Sequence, residues 1–375
     1  MVLHRYAVPV EETGWTIPGV GATVAFDWNY DAGRQRMLAL YQKGKDKQWD
    51  SVHRIDWSHE IDPSDQGTIP DEVVPIYGSP TWERLSRAEK DEVRHHYMAW
   101  TNSQFLHGEQ GALVCSAKIV STVPDLDAKF YAATQTMDEA RHVETYARFL
   151  NDKLRLAYPI NGSLRDLLDQ TISDPRWDLT YLGMQVMIEG VALAAFSMVR
   201  DFTGDPLARA INAYVMQDEA RHIAFGRLAL KDAYAELTDA ERAEREDFVV
   251  EASYLLRDRF LASEVWDTLG YDADELAAYV DQHQIMNEFR KALFSRVVPT
   301  VKDIGLWGER VQRAFVDMGV MGFQDLDVDE LSEDDERIAE EMEALLAARA
   351  EGRPPDATGS RGRELADTIA LGEDA

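Results

Sequence analysis

Asp138-Glu139-Ala140-Arg141-His142 recurs without change 80 residues later as Asp218-Glu219-Ala220-Arg221-His222. At the same offset Glu109, Ala112 and Leu113 answer to Glu189, Ala192 and Leu193, and Asp125 and Ala128 to Asp205 and Ala208. The repeated unit therefore carries a lone glutamate and, 30 residues on, a Glu-x-x-His triplet. Residues three apart on a helix project from one face. Brought together, the two copies offer four carboxylates and two imidazoles: Glu109, Glu139, His142, Glu189, Glu219 and His222. Two divalent cations cancel the charge of four glutamates; without them several would be protonated or bear a desolvation cost of several kcal/mol each. Hard carboxylate oxygens with neutral imidazole suit two iron ions, with manganese as the alternative, better than zinc or calcium.

The elements that must position these residues are legible from their ends. Ser86-Arg87-Ala88-Glu89 is a capping-box pattern, and a helical period follows it to Pro124. Asp125 caps a second long helix running toward Tyr158-Pro159, and a short helix follows Ser163. Asp174-Pro175 and Asp205-Pro206 each place a cap and a first-turn proline before two further long helices, ending near Gly204 and Leu237. Glu109 lies 13 residues before the end near Thr122, and Glu139 lies 14 after Asp125. At ~1.5 Å per residue both sit ~20 Å from their turn. Glu189 and Glu219 lie 14 residues from Thr203 and Asp205, at the same height. If the two hairpins pack as a four-helix bundle, all four glutamates meet in one layer. Glu92-x-x-His95 has the triplet spacing without a partner glutamate at its level and is read as surface.

This combination, one Glu from each of two helices and a Glu-x-x-His from each of the others, resembles the ferritin-like superfamily of carboxylate-bridged di-iron proteins, over roughly residues 86–235. The Asp-Glu-x-Arg-His form is similar to the hydroxylase subunits of multicomponent monooxygenases, di-iron N-oxygenases and oxidases related to the ribonucleotide reductase small subunit. The resemblance implies an all-α fold, a ferritin-like four-helix bundle with additional flanking helices. It also implies that Asp138 and Asp218 accept the second N–H of a ligand histidine, on the same helix or the opposite one. Arg141 and Arg221 then neutralise those aspartates or form plain surface pairs.

Three reactions are compatible with such a site. An oxygenase uses O2 to oxidise a small organic substrate. Small residues beside the ligands (Gly108, Gly111, Ala112, Gly190, Ala192, Ala194, Ala195) leave it a pocket, or simply let helices pack closely. A radical-generating oxidase would use Tyr146, one turn beyond His142, where ribonucleotide reductase small subunits carry their tyrosine; its counterpart in the second copy is Gly226, and a core tyrosine with a bonded hydroxyl is the plainer reading. A ferroxidase or iron store needs little beyond one bundle, whereas this chain has about 85 residues before it and more than 130 after. The oxygenase is the leading reading, and a purely structural bundle has no reason to bury Glu189. No dinucleotide fingerprint or cysteine cluster is present, so a separate reductase or ferredoxin is expected to supply electrons. Trp49, Trp57 and Trp100 are read as packing against an arm.

The chain has 375 residues with 68 acidic against 39 basic, a formal charge of −29, which excludes general electrostatic binding of nucleic acid or of an anionic membrane. From Asp325 onward there are 17 acidic and 5 basic residues, so the tail is the most acidic part, although the body is acidic too. A single cysteine, Cys115, excludes an intramolecular disulfide and any cysteine-based cluster, and no signal-peptide pattern opens the chain. A cytoplasmic homodimer is expected. Leu182–Val199 approaches membrane-span length, but Glu189 sits at its middle. Four regions are expected: an irregular arm over 1–85 with one helix from about Asp31 to Val52, the di-iron bundle over 86–237, accessory helices over 238–323, and an acidic, largely disordered tail over 324–375 with one exposed helix from about Ser332 to Arg349.

Overall fold

The computed structural model describes residues 34–63 and 67–350. Among them the regular structure is helical. In the arm, α1 (Gln35–Asp46), the single turn α2 (Ser51–Arg54) and the short α3 (Pro80–Arg84) precede the long α4 (Arg87–Thr122) and α5 (Leu126–Arg148). A six-residue π-helical segment, Phe149–Leu154, prolongs α5 until Arg155 turns left-handed at φ 55°. After α6 (Gly162–Ser173), the rod Trp177–Phe202 consists of α7 (Trp177–Tyr181), a π-helical stretch Leu182–Ile188, and α8 (Glu189–Phe202). Then come α9 (Pro206–Tyr234), α10 (Asp239–Asp258), the small helices α11 (Ser263–Thr268), α12 (Ala273–Gln282), α13 (Gln284–Ala292), α14 (Val297–Asp303) and α15 (Glu309–Asp317), and finally α16 (Val328–Ala350).

The expected capping boxes form at Ser86/Glu89 and Thr238/Glu241, and Asp205 accepts from the Ala208 N–H with Pro206 in the first turn. Two ends differ. Asp174 bonds the Arg176 N–H, so the third long rod starts two residues later than its Asp-Pro suggested. Asp125 stands at the start of α5 without capping it, because its carboxylate is taken by Arg34 at 3.2 Å. The rod Trp177–Phe202 is long and apolar enough to cross a membrane, but most of it is buried inside the molecule as a bundle helix. α4 packs on α5, the rod on α9, and α5 on α9, closing the four-helix arrangement. The close approaches use glycine: a Cβ on Gly226 would lie 2.5 Å from the Gln185 Cβ, and one on Gly204 would lie 1.9 Å from the Gly67 carbonyl oxygen.

The arm does not hold one helix from Asp31 to Val52. α1 stops at Asp46, and Asp50 caps the new turn α2 by accepting from the Val52 and His53 N–H groups. α1 is fixed to α5 by Arg34, whose backbone N–H and Nε donate to Asp127 Oδ2 at 2.7 and 3.0 Å while Nη2 donates to Oδ1 at 2.9 Å. Asp127 is buried, and the guanidinium holds its carboxyl below the usual range against the effect of burial. Asp127→Asn should therefore cost about 1–2 kcal/mol in urea unfolding at neutral pH; no measurable loss would mean that Asp125 and Asp232 alone hold Arg34.

The acidic tail also differs from expectation. α16 begins at Val328 and lies along α9. Asp329 pairs with Arg227 and Arg36, Glu336 with Lys43, and Asp335 with Arg296. Asp335 is buried, and burial raises its pKa. The sequence pattern reported the negative charge and missed the basic strip on α1 and α9 that receives it. The expected disorder beyond residue 350 lies outside the described residues.

Candidate metal centre

The six expected residues meet in the centre of the bundle, none more than 5% exposed. Glu109 comes from α4, Glu139 and His142 from α5, Glu189 from the first position of α8 and Glu219 and His222 from α9. They form two overlapping groups of possible ligands: Glu109, Glu139, His142 and Glu219, and Glu139, Glu189 and His222, with the atoms of each group within 4.8 Å of one another. Glu139 extends one oxygen toward each imidazole, 3.1 Å from His222 Nδ1 and 3.5 Å from His142 Nδ1. Glu219 does the same, 3.2 Å from His142 Nδ1 and 3.6 Å from His222 Nδ1. Glu109 lies at the His142 end, 3.1 Å from Nδ1. Glu139 is shared by both groups, Glu219 lies near both imidazoles, and Glu109 and Glu189 each belong to one group, an arrangement that suits two neighbouring cations.

Whether these residues suit metal ions can be judged from what they leave unbonded. Glu139 Oε2, Glu189 Oε2, both oxygens of Glu219 and His222 Nδ1 are buried without a hydrogen-bond partner. Each such atom costs about 1–3 kcal/mol. The atoms of Glu139, Glu219 and His222 stand 3.1–3.6 Å from an imidazole nitrogen or carboxylate oxygen without an aligned hydrogen bond, and the possible ligand atoms of each group lie within 4.8 Å of one another. Two divalent cations would satisfy all five. The electrostatics agree. Burial pushes Glu109 and Glu189 well above the ordinary carboxylate range. Burial also works to raise Glu139, but His222 and His142 overcome it and hold it well below that range. Burial opposes charge on both histidines, yet the facing carboxylates keep them above an ordinary imidazole. A cluster that binds protons this way when metal-free is one in which cations can replace them.

The outer nitrogens of the rings cross over. His142 Nε2 of α5 meets Asp218 Oδ2 of α9 at 3.0 Å, and His222 Nε2 of α9 meets Asp138 Oδ2 of α5 at 3.3 Å. Each aspartate therefore serves the opposite helix. Arg141 is buried, not a surface pair, and its Nη2 donates to Asp138 and Asp218 at 2.7 Å each; Arg221 pairs with Asp218. Tyr146 donates its hydroxyl to Asn212 at 3.1 Å, a bonded core tyrosine. Its counterpart is glycine because the π-helical stretch before Glu189 comes too close for a side chain. Glu92 is exposed and His95 bonds the Leu154 carbonyl, apart from the cluster.

Four participants have no mark in the repeat. Gln48 donates to Asp138 and accepts from Arg141, and the Trp49 indole N–H donates to Asp218 Oδ2 at 2.8 Å. Both stand in the break between α1 and α2. Trp49 stacks on Tyr214 with ring centres 5.1 Å apart and carries the Arg141 guanidinium over its face at 4.7 Å. Gln135, one turn before Glu139, donates to Glu139 and Glu189 at 3.1 and 3.0 Å, and Gln185 donates to Gln135. Gln185 belongs to the π-helical stretch, whose wider turn delivers Glu189 to the layer. A narrow cleft opens beside Glu109, Glu189 and Glu219, walled by Phe105, Ile188 and Phe196. Among the small residues, Gly108, Ala112, Ala192 and Ala195 line it. Gly111 and Gly190 instead accommodate Leu168 and Val297, at 2.5 and 3.0 Å from a built Cβ.

The family model described as p-aminobenzoate N-oxygenase AurF matches residues 31–305, from within the arm through α14. Solved structures similar to the chain include an R2-like ligand-binding oxidase variant with an aerobically reconstituted Mn/Fe cofactor, at 16% identity and TM-score 0.48, covering 74% of this chain and 96% of that one. Another is the R2-like ligand-binding oxidase from Sulfolobus acidocaldarius, at 19% identity and TM-score 0.45, covering 76% and 96%. No curated protein matches the chain. The family assignment rests on the family model and not on these distant likenesses. With that match spanning most of the chain and a buried Glu/His cluster able to hold two metal ions at its centre, the chain belongs to the AurF family of di-iron oxygenases.

Proposed function

We propose that Glu109, Glu139, His142, Glu189, Glu219 and His222 hold the two iron ions and that the protein transfers one oxygen atom from O2 to a small organic substrate in the cleft beside them. The observation that carries this reading is the pair of overlapping ligand groups, with five buried, unbonded donor atoms, facing an apolar cleft. Once reduced, two such ions supply the activation of O2. The chain's own part is to orient and exclude water. Asp138 and Asp218 fix the ring tautomers, so that each Nδ1 faces the centre as an acceptor. Arg141, Arg221, Gln48 and Trp49 hold those aspartates, and Phe105, Ile188 and Phe196 keep the cleft apolar. Gln135 holds Glu139 and Glu189 from the far side.

For monooxygenation, one oxygen atom enters the substrate and the other leaves as water, which consumes two electrons and two protons per O2. Those electrons would come from a separate reductase or ferredoxin. The family's description names N-oxygenation of p-aminobenzoate, which suggests an amino group as the oxidised position; a cytoplasmic homodimer is part of the same proposal. The radical-generating alternative is not favoured, because Tyr146 has its hydroxyl bonded to Asn212.

The test is to load the protein with iron, reduce it anaerobically and admit 18O2 with 4-aminobenzoate and other small amines. Mass spectrometry should find 18O in an oxidised product. Consumption of O2 with only a tyrosyl radical signal, or only a growing ferric mineral, would overturn the oxygenase reading. Sedimentation and cell fractionation test the dimer and the location.

A further inference from the structure

Basic residues are the minority charge of this chain, yet its described arm begins with a concentration of them. From Arg34 to Lys47 there are five basic residues and one acidic one, Asp46. Arg36, Lys43 and Lys47 are spaced by seven and four residues, which puts them on one helix face. Asp329, Glu336 and Glu340 of α16 have the same spacing in the same order. The structure pairs them one to one: Arg36 with Asp329 at 3.7 Å, Lys43 with Glu336, and Lys47 with Glu340 at 3.8 Å. The two helices therefore run parallel with three ion pairs in register. Beside them Arg227 of α9 also holds Asp329, and Arg296 holds Asp335. What α16 lacks is an apolar anchor. Of its described side chains Asp335 alone is buried, while Val328, Leu331 and Ile338 are half-buried. The three pairs with α1 are partly exposed, and such pairs are individually weak and screened by salt. α16 is thus held mainly by charge, on a strip of five cations that another acidic surface could also fit. The family match ends at residue 305, so it contains all five cations and excludes α16. At one end the strip adjoins the support of the metal centre: Lys47 is followed by Gln48 and Trp49, which bond Asp138 and Asp218, the partners of His222 and His142.

We propose that the strip formed by Arg36, Lys43, Lys47, Arg227 and Arg296 is the docking surface for the electron donor, a small acidic one-electron carrier protein, and that α16 occupies the strip until the carrier displaces it. The inference rests on the proposed function in one respect, the need for a separate donor. Charge decides the kind of partner. With a formal charge of −29, the chain as a whole repels an acidic protein, so an acidic carrier is held off elsewhere and directed to the strip. A basic carrier would meet acidic surface on many sides and would have no preference for this one. Specificity for the strip thus follows from the excess of acid around it, and α16 is the acidic surface that the same chain supplies in the carrier's absence.

The experiment measures binding of an oxidised, acidic [2Fe–2S] ferredoxin to the full-length, iron-loaded protein by calorimetry, at low ionic strength and at about 0.5 M salt. Asp329→Asn, Glu336→Gln and Glu340→Gln together should tighten binding about tenfold over the wild type. Glu330→Gln, Glu333→Gln and Glu341→Gln, all at exposed positions of α16, remove the same charge and should leave binding near the wild-type value. Lys43→Glu with Lys47→Glu, added to the first triple variant, should return it to that value or below, and high salt should erase the differences. Hydrogen exchange on the wild type gives a second reading: saturating ferredoxin should protect α1 and deprotect α16. The proposal is overturned if the two triple variants bind alike, if saturating ferredoxin fails to deprotect α16, or if the first triple variant gains binding to phosphatidylserine vesicles and not to ferredoxin. Because neither O2 nor substrate takes part, failure here is separable from failure of the oxygenase reading.

Discussion

Glu139→Ala should leave a protein that retains neither metal ion, whereas Glu189→Ala should retain one of the two. Glu139 belongs to both ligand groups and is the nearest carboxylate to His222 Nδ1. Removing it would take a possible ligand from both groups at once. Glu189 belongs to one group only, and without it Glu109, Glu139, His142 and Glu219 remain together. Metal analysis after gel filtration should give two ions per chain for the wild type, one for Glu189→Ala and none for Glu139→Ala. A bound ion present at a thousand times its dissociation constant adds about 4 kcal/mol to stability. The loss of both should therefore lower the melting temperature of a domain this size by about 10 °C or more. Glu139→Gln keeps the side chain's volume and separates loss of ligation from loss of packing. Two ions retained by Glu139→Ala would rule out the shared position assigned to it.

The metal-free protein should lose stability as pH rises from 6 to 9, while the metal-loaded protein stays nearly level. The sign follows from which state holds the proton. Burial raises Glu109 and Glu189 above the ordinary 4.5, so the folded chain keeps protons there that the unfolded chain releases. Their contribution is whole below 4.5 and is lost as pH climbs through the folded values. His142 and His222, raised above 6.5 by the facing carboxylates, contribute fully below 6.5 and likewise lose it as pH rises. Each group changes stability by about 1.4 kcal/mol per pH unit while the two states differ in protonation. Glu139, held low, acts in the opposite sense only below its ordinary value, outside this window. Metal ions take the protons' places, so loading at neutral pH should release protons. Thermal unfolding of chelator-treated and iron-loaded samples across the range, with an indicator dye during loading, reads both effects. Metal-free stability that increases from pH 7 to 9, or loading without proton release, would contradict the charge balance described for the cluster.

All six clustered residues were legible in the sequence because helix geometry is local. Counting residues from Asp125 and Asp205 placed Glu139 and Glu219 at one height, and the structure brings them together there. What was not legible depends on contacts between segments far apart in the chain. Gln48 reaches Asp138 across 90 residues, and Trp49 reaches Asp218 across 169. Both stand where the arm was read as unbroken helix, and Asp50, the residue that breaks it, is an ordinary cap in retrospect. Gln135 was visible one turn before Glu139, but its counterpart at the repeat offset is Val215, so self-comparison passed over it. The docking of α16 depends on which charges face one another, and composition does not report that. The direction in which Asp138 and Asp218 act was left open by the spacing, since it depends on how α5 and α9 cross.

That crossing describes an exchange between halves. Each hairpin supplies a histidine and the aspartate that orients the other hairpin's histidine, as two identical molecules joined by a twofold axis would do. The chain has the form of such a pair fused into one, with α5 and α9 packed against each other where the exchange occurs. Symmetry survives where the exchange occurs, in Asp-Glu-Ala-Arg-His, and fails a turn away, where the repeat counterpart of Tyr146 is Gly226 and that of Gln135 is Val215. Neither half is complete alone, so co-expressed separate hairpins would assemble a centre only by finding each other.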